Sequence, residues 1–434
     1  MMPKGNGVIC DIGTGDRVIA LRADLDALPL PDTKDVPYRS TVDNVCHACG
    51  HDVHTTILLG VGLALAQLAQ GDQLPGRVRL LFQPAEERMP SGAPEVIEAG
   101  GLKDVAAIFA LHCAPLLPVG LVGVRSGPFT AAADKVEVRL TGKGGHTARP
   151  HLTADLVYAL GRVIVGLPAL LDRRVDSLAG MSMVWGAVRA GEAANAIPIE
   201  AVARGTVRIL SREAWQSAPE LITDLVHASA SGTGANVDVT YTRGVPPVVN
   251  DRLATAVIAG AAGAALGAER VVEAAISMGG EDFAFYLEHV PGAMVRLGVG
   301  VPGSTEKVDI HQSAFDVDER AIGYGVRVMV HTALAALSAG TFETRGYRPA
   351  APGRRDRSAD RALALFTVRR APGAPATGHP RLVHSARPAR SARPDRSARP
   401  DRSASRARRL GRGRTADRVP RARRPGSGVA RSAG

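Results

Sequence analysis

The stretch Val18-Ile-Ala-Leu-Arg-Ala-Asp24 is a mostly apolar run that ends on an acidic residue. Such a run predicts a buried β-strand, and two later runs follow the same pattern. Residues 78–82 precede the pair Glu86-Glu87, and residues 106–111 end on His112. Open α/β sheets carry their sites at the carboxyl ends of the strands. The sequence therefore predicts an α/β domain with a central mixed sheet and polar side chains gathered at one edge.

The pattern changes in the middle of the chain. Three segments there alternate with period two, and two helical segments lie between them: strands at 135–140, 203–210 and 236–243, helices at 155–171 and 213–230. Alternating strands with helices on one side predict a separate α+β layer. The α/β pattern then returns, with a strand at 293–298 and a helix at 318–338. We therefore expect a discontinuous α/β domain, residues 1–126 and 245–342, interrupted by a smaller domain at 127–244.

The net charge of +11 is unevenly distributed along the 434 residues. Residues 345–434 hold 25 Arg and no Lys against 5 Asp, which leaves 28 Lys and Arg against 37 Asp and Glu in the rest. Low hydrophobicity with high net charge predicts a disordered tail at 343–434. This tail is either a genuine extension or read-through in a shifted frame, and nucleic-acid binding would concern the tail alone, without specificity.

The cysteines Cys10, Cys46, Cys49 and Cys113 form no disulfide framework. The chain opens without a charged-then-apolar leader, and its longest run of small apolar residues is too short to span a bilayer. These features predict a cytoplasmic protein that is not inserted in a membrane.

Residues 46–54, Cys-His-Ala-Cys-Gly-His-Asp-Val-His, are the densest cluster of potential metal ligands. One interpretation is a structural zinc site, which would need a second ligand pair at similar spacing, and none follows. The other places some of these residues at the head of a helix that begins near Thr55, where they join ligands from distant strand ends. We favour the second interpretation.

The pair Glu86-Glu87 follows a predicted strand, and adjacent carboxylates are costly unless a cation compensates them. A carboxylate that holds a metal beside one that accepts a proton from water suits hydrolysis. Asp24 and Asp26 lie where they could orient such ligands. His112 and His311, taken alone, are equally compatible with hydrogen-bonded core histidines.

The order of these motifs resembles the metal-dependent amidohydrolases of the aminoacylase and carboxypeptidase type, especially hippurate hydrolases and auxin–amino-acid conjugate hydrolases. The matching stretches cover residues 8–340: RADLDALP (22–29), HACGHDVH (47–54), QPAEE (83–87), LHCAP (111–115), GGH (144–146), NAIP (195–198), GTVR (205–208), GGEDF (279–283) and HQSAF (311–315). The ordered series is far more specific than any one motif.

The resemblance implies an enzyme that hydrolyses the amide bond of N-acyl amino acids with two divalent metal ions, Zn²⁺, Mn²⁺ or Co²⁺. It implies the metal ligands Cys49, His51, Glu87, His112 and His311, and Glu86 as general base. It implies that the inserted domain is ferredoxin-like and mediates homodimerisation, with His146 stabilising the oxyanion, commonly across the dimer. It also implies that Asn195, Arg208 and Gly279 contact the substrate, with Arg208 suited to the α-carboxylate.

The sequence departs from the family at its start, because the helical segment that normally precedes the strand at 18–23 is missing. A truncated, inactive relative is therefore one alternative. A dipeptidase or carboxypeptidase acting through the same site is another.

Overall fold

The computed structural model describes residues 6–303, 308–339 and 342. The strands are, in chain order, β1 (Val8–Gly13), β2 (Val18–Asp24), β3 (Arg77–Gln83), β4 (Val105–Pro118), β5 (Val122–Val124), β6 (Gly127–Thr130), β7 (Ala132–Thr141), β8 (Gly145–His146), β9 (Ser182–Ala190), β10 (Ala196–Ile197), β11 (Glu200–Ile209), β12 (Asn236–Val245), β13 (Val248–Asn250), β14 (Val271–Glu273) and β15 (Gly292–Gly300). The α-helices are α1 (His51–Gln70), α2 (Gly92–Glu98), α3 (Leu156–Arg174), α4 (Arg212–Ala230), α5 (Arg252–Leu266), α6 (Phe283–Tyr286) and α7 (Arg320–Ser338).

The larger sheet has seven strands in the order β1-β3-β2-β4-β15-β5-β14. Its four inner strands, β3, β2, β4 and β15, are parallel, whereas β1 and β5 run antiparallel to their inner neighbours. The sheet is therefore mixed, as the sequence predicts. Every residue of β2 is buried, as expected for a parallel strand that is covered on both faces.

Helices cover both faces of this sheet. One apolar core lies between the sheet and the helices α1, α5 and α7, and a second lies on the opposite face with α2 and α6. By length and composition α1 and α7 could each cross a membrane, but they pack against each other and the sheet, as core helices do. The tail predicted at 343–434 lies outside the described residues.

The smaller sheet is antiparallel and has the order β12-β7-β11-β9. Its elements follow one another as β7, α3, β9, β11, α4 and β12, and α3 and α4 enclose a core with the sheet. The chain enters this layer after β6 and leaves it before β13, while strands of the larger sheet precede and follow it.

Two expectations about the elements around the site are wrong. Helix α1 begins at His51 rather than near Thr55, because Gly50 adopts a left-handed conformation that starts the helix directly inside the ligand cluster. His112 does not end its strand, since β4 continues to Pro118. The continuation pairs with β15, which the apolar run at 106–111 does not reveal.

Candidate metal centre

Gly50 determines how the head of α1 presents its neighbours. Its φ is +83°, and an added Cβ would lie 2.8 Å from Sγ of Cys113. Only glycine accommodates both the left-handed backbone and this close approach. The turn leaves Cys49 and His51 buried on either side of Gly50.

Asp26 joins this helix to the two adjacent glutamates. Its two carboxylate oxygens accept hydrogen bonds from the backbone N–H groups of Glu86 and Glu87, each at 3.0 Å. Nδ1 of His51 lies 3.0 Å from the backbone carbonyl oxygen of Asp26. Burial raises the pKa of the Asp26 carboxyl, but His51 and the two backbone amides outweigh it and hold that pKa below its usual value.

The five predicted metal ligands lie together. His311 Nε2 is 3.1 Å from Glu87 Oε1, and Cys49 Sγ is 3.6 Å from His112 Nε2. Ligand atoms of Cys49, His51 and His112 lie within 4.8 Å of one another, as do those of Cys49, Glu87 and His311. Cys49 belongs to both groups, so the arrangement offers two adjoining sites that share a sulfur ligand.

The hydrogen bonds of His112 and His51 involve Nδ1 of each ring and leave Nε2 available to bind a metal. His112 Nδ1 lies 2.8 Å from the carbonyl oxygen of Cys113, and His51 Nδ1 faces the carbonyl of Asp26. A proton on each Nδ1 leaves a lone pair on each Nε2. Among the described residues, buried Nε2 of His51 has no hydrogen-bond partner. These residues therefore fit a metal ion.

The charges around the cluster also fit a cation. Burial lowers the pKa of His51, but the carboxylates of Asp24, Asp26 and Glu87 raise it to about 9. Burial and Glu87 together raise the pKa of the Cys49 thiol, so the sulfur would need a nearby cation to ionise at neutral pH. The carboxylates around His51 thus favour a positive charge at this position.

His54, although part of the same sequence cluster, is fully engaged elsewhere. Its Nδ1 lies 2.6 Å from Asp24 Oδ1, and its Nε2 accepts a hydrogen bond from the backbone N–H of Cys113 at 2.8 Å. Both ring nitrogens are therefore used, and His54 supports the strand rather than offering a ligand atom.

A buried ion-pair network centred on Arg22 lies beneath the ligands. Its guanidinium is 2.6 Å from Asp24 Oδ2, 2.7 Å from Asp282 Oδ1 and 3.1 Å from Glu281 Oε1. Gln83 also accepts from Arg22 and donates to Asp282. Sequence reasoning missed this network, and its signal was the arginine and acids in RADLDALP and GGEDF beside the predicted ligands.

Burial, Glu281 and Asp282 together raise the pKa of Glu86 well above its usual value, with Arg22 opposing them. Glu86 lines a cavity of about 600 Å³ between the two sheets. Other predicted site residues also line this cavity: Cys49, Glu87, His112, Arg208, Gly279 and His311. The structure therefore places the candidate base, four of the five candidate ligands and the candidate carboxylate-binding arginine around one space.

Besides His51, which lies behind Cys49 and His112, two predicted residues do not line this cavity within the single chain. His146 is exposed on β8, which pairs with β10 through Ala196, and Asn195 directly precedes that strand. Neither residue is among those that line the cavity. Their predicted roles remain predictions.

The comparisons with known proteins bear on this site. Residues 20–335 match the model of peptidase family M20/M25/M40. The chain is 48% identical over 332 residues to "Putative glutamate--cysteine ligase 2-3" of Rhodococcus jostii, covering 76% of the chain but 41% of that protein. It is 40% identical over 333 residues to N-acetylcysteine deacetylase of Bacillus subtilis, covering 76% of the chain and 85% of the relative.

Among solved structures, the YXEP protein of Bacillus subtilis, described as a dinuclear metal-binding peptidase of the M20 family, matches with a TM-score of 0.66 and 37% identity. That match covers 76% of this chain and 85% of the other.

Proposed function

The chain belongs to peptidase family M20/M25/M40 and is a metal-dependent amidohydrolase, and from that premise we propose that it hydrolyses the amide bond of N-acyl amino acids. The observation that carries the proposal is that Glu86, Arg208 and four of the five candidate ligands line one cavity, while the fifth ligand, His51, lies within 4.8 Å of ligand atoms of Cys49 and His112. The acetyl and benzoyl derivatives of amino acids are the expected substrates.

We propose that two divalent ions bind to one thiol, three imidazoles and one carboxylate, those of Cys49, His51, His112, His311 and Glu87. The described donors, one thiol, three imidazoles and a carboxylate, suit Zn²⁺, Co²⁺ or Mn²⁺. Bound ions of this kind polarise the scissile carbonyl and make water nucleophilic near neutral pH.

The chain's own residues would transfer the protons and orient the substrate. Glu86 accepts the proton of the attacking water and transfers it to the leaving nitrogen. The hydrogen bonds from the Glu86 and Glu87 amides to Asp26 fix the backbone of both glutamates, and so the base relative to its neighbour. Arg208 binds the α-carboxylate of the substrate through paired hydrogen bonds, and the backbone at Gly279, which lines the same cavity, contacts the substrate.

We propose that residues 127–244 form an inserted, ferredoxin-like domain that pairs two subunits, between the catalytic segments 1–126 and 245–342. Strand β9 is an edge of the smaller sheet and exposes Val184 and Val188, which are 60% and 54% accessible. An apolar edge strand of this kind favours pairing with a second copy. In that arrangement His146 and Asn195 would complete the site of the partner.

The proposed setting is the cytoplasm, because Cys46, Cys49 and Cys113 are buried free thiols, which persist in a reducing compartment. Binding of nucleic acid is not part of the proposed function.

A substrate panel tests the proposal. Metal-loaded protein should release free amino acid from hippurate, N-acetylmethionine or N-acetylcysteine, chelator should abolish release, and added Zn²⁺, Co²⁺ or Mn²⁺ should restore it. Dipeptides measured beside them identify a dipeptidase if they are cleaved faster than every N-acyl compound. Folded, metal-loaded protein that cleaves neither class would be an inactive relative, and the proposal would be wrong.

A further inference from the structure

We propose that Arg296 binds a second acidic group of the substrate, so that the preferred substrates are N-acyl amino acids with an acidic side chain. This inference rests on the proposed amide hydrolysis and specifies its substrate class. The feature that carries it is a half-buried guanidinium in the site cavity that no protein carboxylate neutralises.

Arg296 lies close to the candidate metal ligands. It lies on β15, directly opposite the candidate ligand His112 in the parallel pairing of β15 with β4. Its side chain lines the same cavity as Cys49, Glu86 and Arg208. A ligand that reaches the metal-binding side chains therefore passes within reach of this guanidinium.

Arg296 has no ion pair or hydrogen bond through its side chain to any residue in the described part of the chain; its guanidinium lies over the ring of Phe129, 5.0 Å from the centroid. Burial lowers the pKa of Arg296, and the nearby acid Glu281 only partly opposes this. The Glu281 carboxylate is already engaged, because it pairs with Arg22 and accepts a hydrogen bond from the backbone N–H of Phe283.

Arg22 and Arg296 differ in the number of carboxylates that contact the guanidinium. Arg22 is surrounded by three carboxylates within 3.1 Å, whereas Arg296 faces an open cavity. Charged groups that leave water are normally paired, because an unpaired buried charge is costly. A functional site that is built to receive an anion is the usual reason for such an exception.

Two cationic groups of this kind argue for two anionic groups on the substrate. Arg208, on β11 of the other sheet, also lacks an ion pair among the described residues and is assigned to the α-carboxylate. An N-acyl amino acid with a neutral side chain has only that one carboxylate. A second carboxylate, as in N-acyl glutamate or aspartate, gives Arg296 its partner, and a cavity of about 600 Å³ has room for it.

The sharpest test uses two substrates of nearly equal shape, N-acetyl-L-glutamate and N-acetyl-L-glutamine. Wild-type enzyme should prefer the glutamate derivative. Arg296→Gln should lower kcat/KM for N-acetylglutamate by about tenfold or more, mainly through KM, and change N-acetylglutamine less than about threefold. Arg296→Lys should recover part of the loss. Arg204→Gln is the matched control, because Arg204 is exposed on β11 and pairs with Glu137.

A binding measurement separates this inference from the proposed function. In a Glu86→Gln background, calorimetry should show that N-acetylglutamate binds more weakly when Arg296 is also changed to Gln. Binding that depends on Arg296 without turnover by wild type would support the contact between Arg296 and the acidic group, but it would refute the proposed hydrolysis and the substrate class that rests on it.

Hydrolysis of N-acetylmethionine without any preference for N-acetylglutamate over N-acetylglutamine would overturn the inference and leave the proposed function standing. An equal loss for both substrates in Arg296→Gln would also overturn it. Urea midpoints of all variants identify a loss of activity that comes from misfolding. If Arg296→Gln is destabilised, Arg296→Lys decides the question: the inference requires that it recover activity on N-acetylglutamate.

Discussion

The guanidinium of Arg22 lies 2.7 Å from Oδ1 of Asp282, and both side chains are completely buried. This ion pair joins the end of β2 to the residue that precedes α6. Because Glu86 and Glu87 follow the end of the neighbouring strand β3, the pair stabilises the part of the sheet from which these two glutamates project.

Replacing Arg22 by Met should leave three buried carboxylates without their cation. Removing one partner of a buried ion pair costs about 3–5 kcal/mol, so the free energy of unfolding should fall by that amount. Urea denaturation at neutral pH measures it. The control Arg189→Ala breaks an exposed pair with Glu192 and should cost less than about 1 kcal/mol. Equal losses in the two variants would refute the structural role of Arg22.

Asp26→Asn should lower activity because Glu86 and Glu87 lose their correct position, while the protein stays folded. One of the backbone amides of Glu86 and Glu87 would then face an NH₂ group instead of an acceptor oxygen. We expect a drop in kcat of about 10- to 100-fold, the effect typical of residues that orient metal ligands. Steady-state kinetics with metal analysis checks this, and an unchanged kcat would show that Asp26 does not position the base.

Glu86→Gln and Glu87→Gln should have different consequences. The first should reduce kcat by about 10²–10⁴-fold and leave the metal content intact, because it removes a proton acceptor. The second should release metal, because it removes a ligand. Elemental analysis of both dialysed variants beside wild type gives the answer; metal loss from Glu86→Gln would make Glu86 a ligand instead.

The contribution of Asp11 to stability should depend on pH. Arg79 donates two hydrogen bonds to Asp11 at 2.7 and 2.8 Å, and these bonds lower the pKa of Asp11. Because the folded pKa is the lower one, the stabilisation is complete above the unfolded pKa of about 3.9 and is lost as pH falls through the folded value.

Asp11→Asn should therefore reduce the free energy of unfolding at pH 7, by less than about 1 kcal/mol because the pair is partly exposed. The difference from wild type should shrink in acid. Urea titrations at pH 7 and at progressively lower pH measure it, and a difference that grows as pH falls would contradict the pairing.

Mixing two inactive variants tests whether subunits share a site. If His146 serves the partner, Glu86→Gln and His146→Ala subunits that exchange should form heterodimers with one intact site each. A random mixture should then recover about a quarter of wild-type activity. Light scattering establishes the dimer, and a dimeric mixture without recovery would show that His146 does not act across the interface.

The sequence predicted the inner strands well, because they depend on local patterns. The five predicted ligands lie close together in the structure, and their binding of metal stays a prediction. Apolar runs that end on polar residues identify β2 and β3, and the ordered motifs identify Cys49 and Glu87. Edge strands β1 and β9 were missed, since neither is an apolar run: β1 has two exposed residues of six and β9 has six of nine. Helix α5 was noticed only as an apolar run.

Long-range contacts account for what sequence reasoning could not find. The pairing of Arg22 with Asp282 joins segments 260 residues apart in the chain, so the motifs RADLDALP and GGEDF contain its residues but do not show that they meet. Arg296 is one polar residue in an apolar strand, and its lack of a partner is visible only once the neighbouring elements are in place. The exposed position of His146 is likewise a property of the folded chain.

The pairing of β2 with β4 stops before the end of β2, and this affects the hydrogen bonding around His112. β2 pairs with β4 only as far as Arg22 and Ala110, so the ladder is interrupted just before His112. The backbone N–H of Cys113, which a longer β2 could have paired, donates instead to Nε2 of His54. The candidate ligand His112 therefore lies beside a gap in the sheet's own hydrogen bonding, and the imidazole of His54 takes the hydrogen bond that a neighbouring strand would otherwise accept.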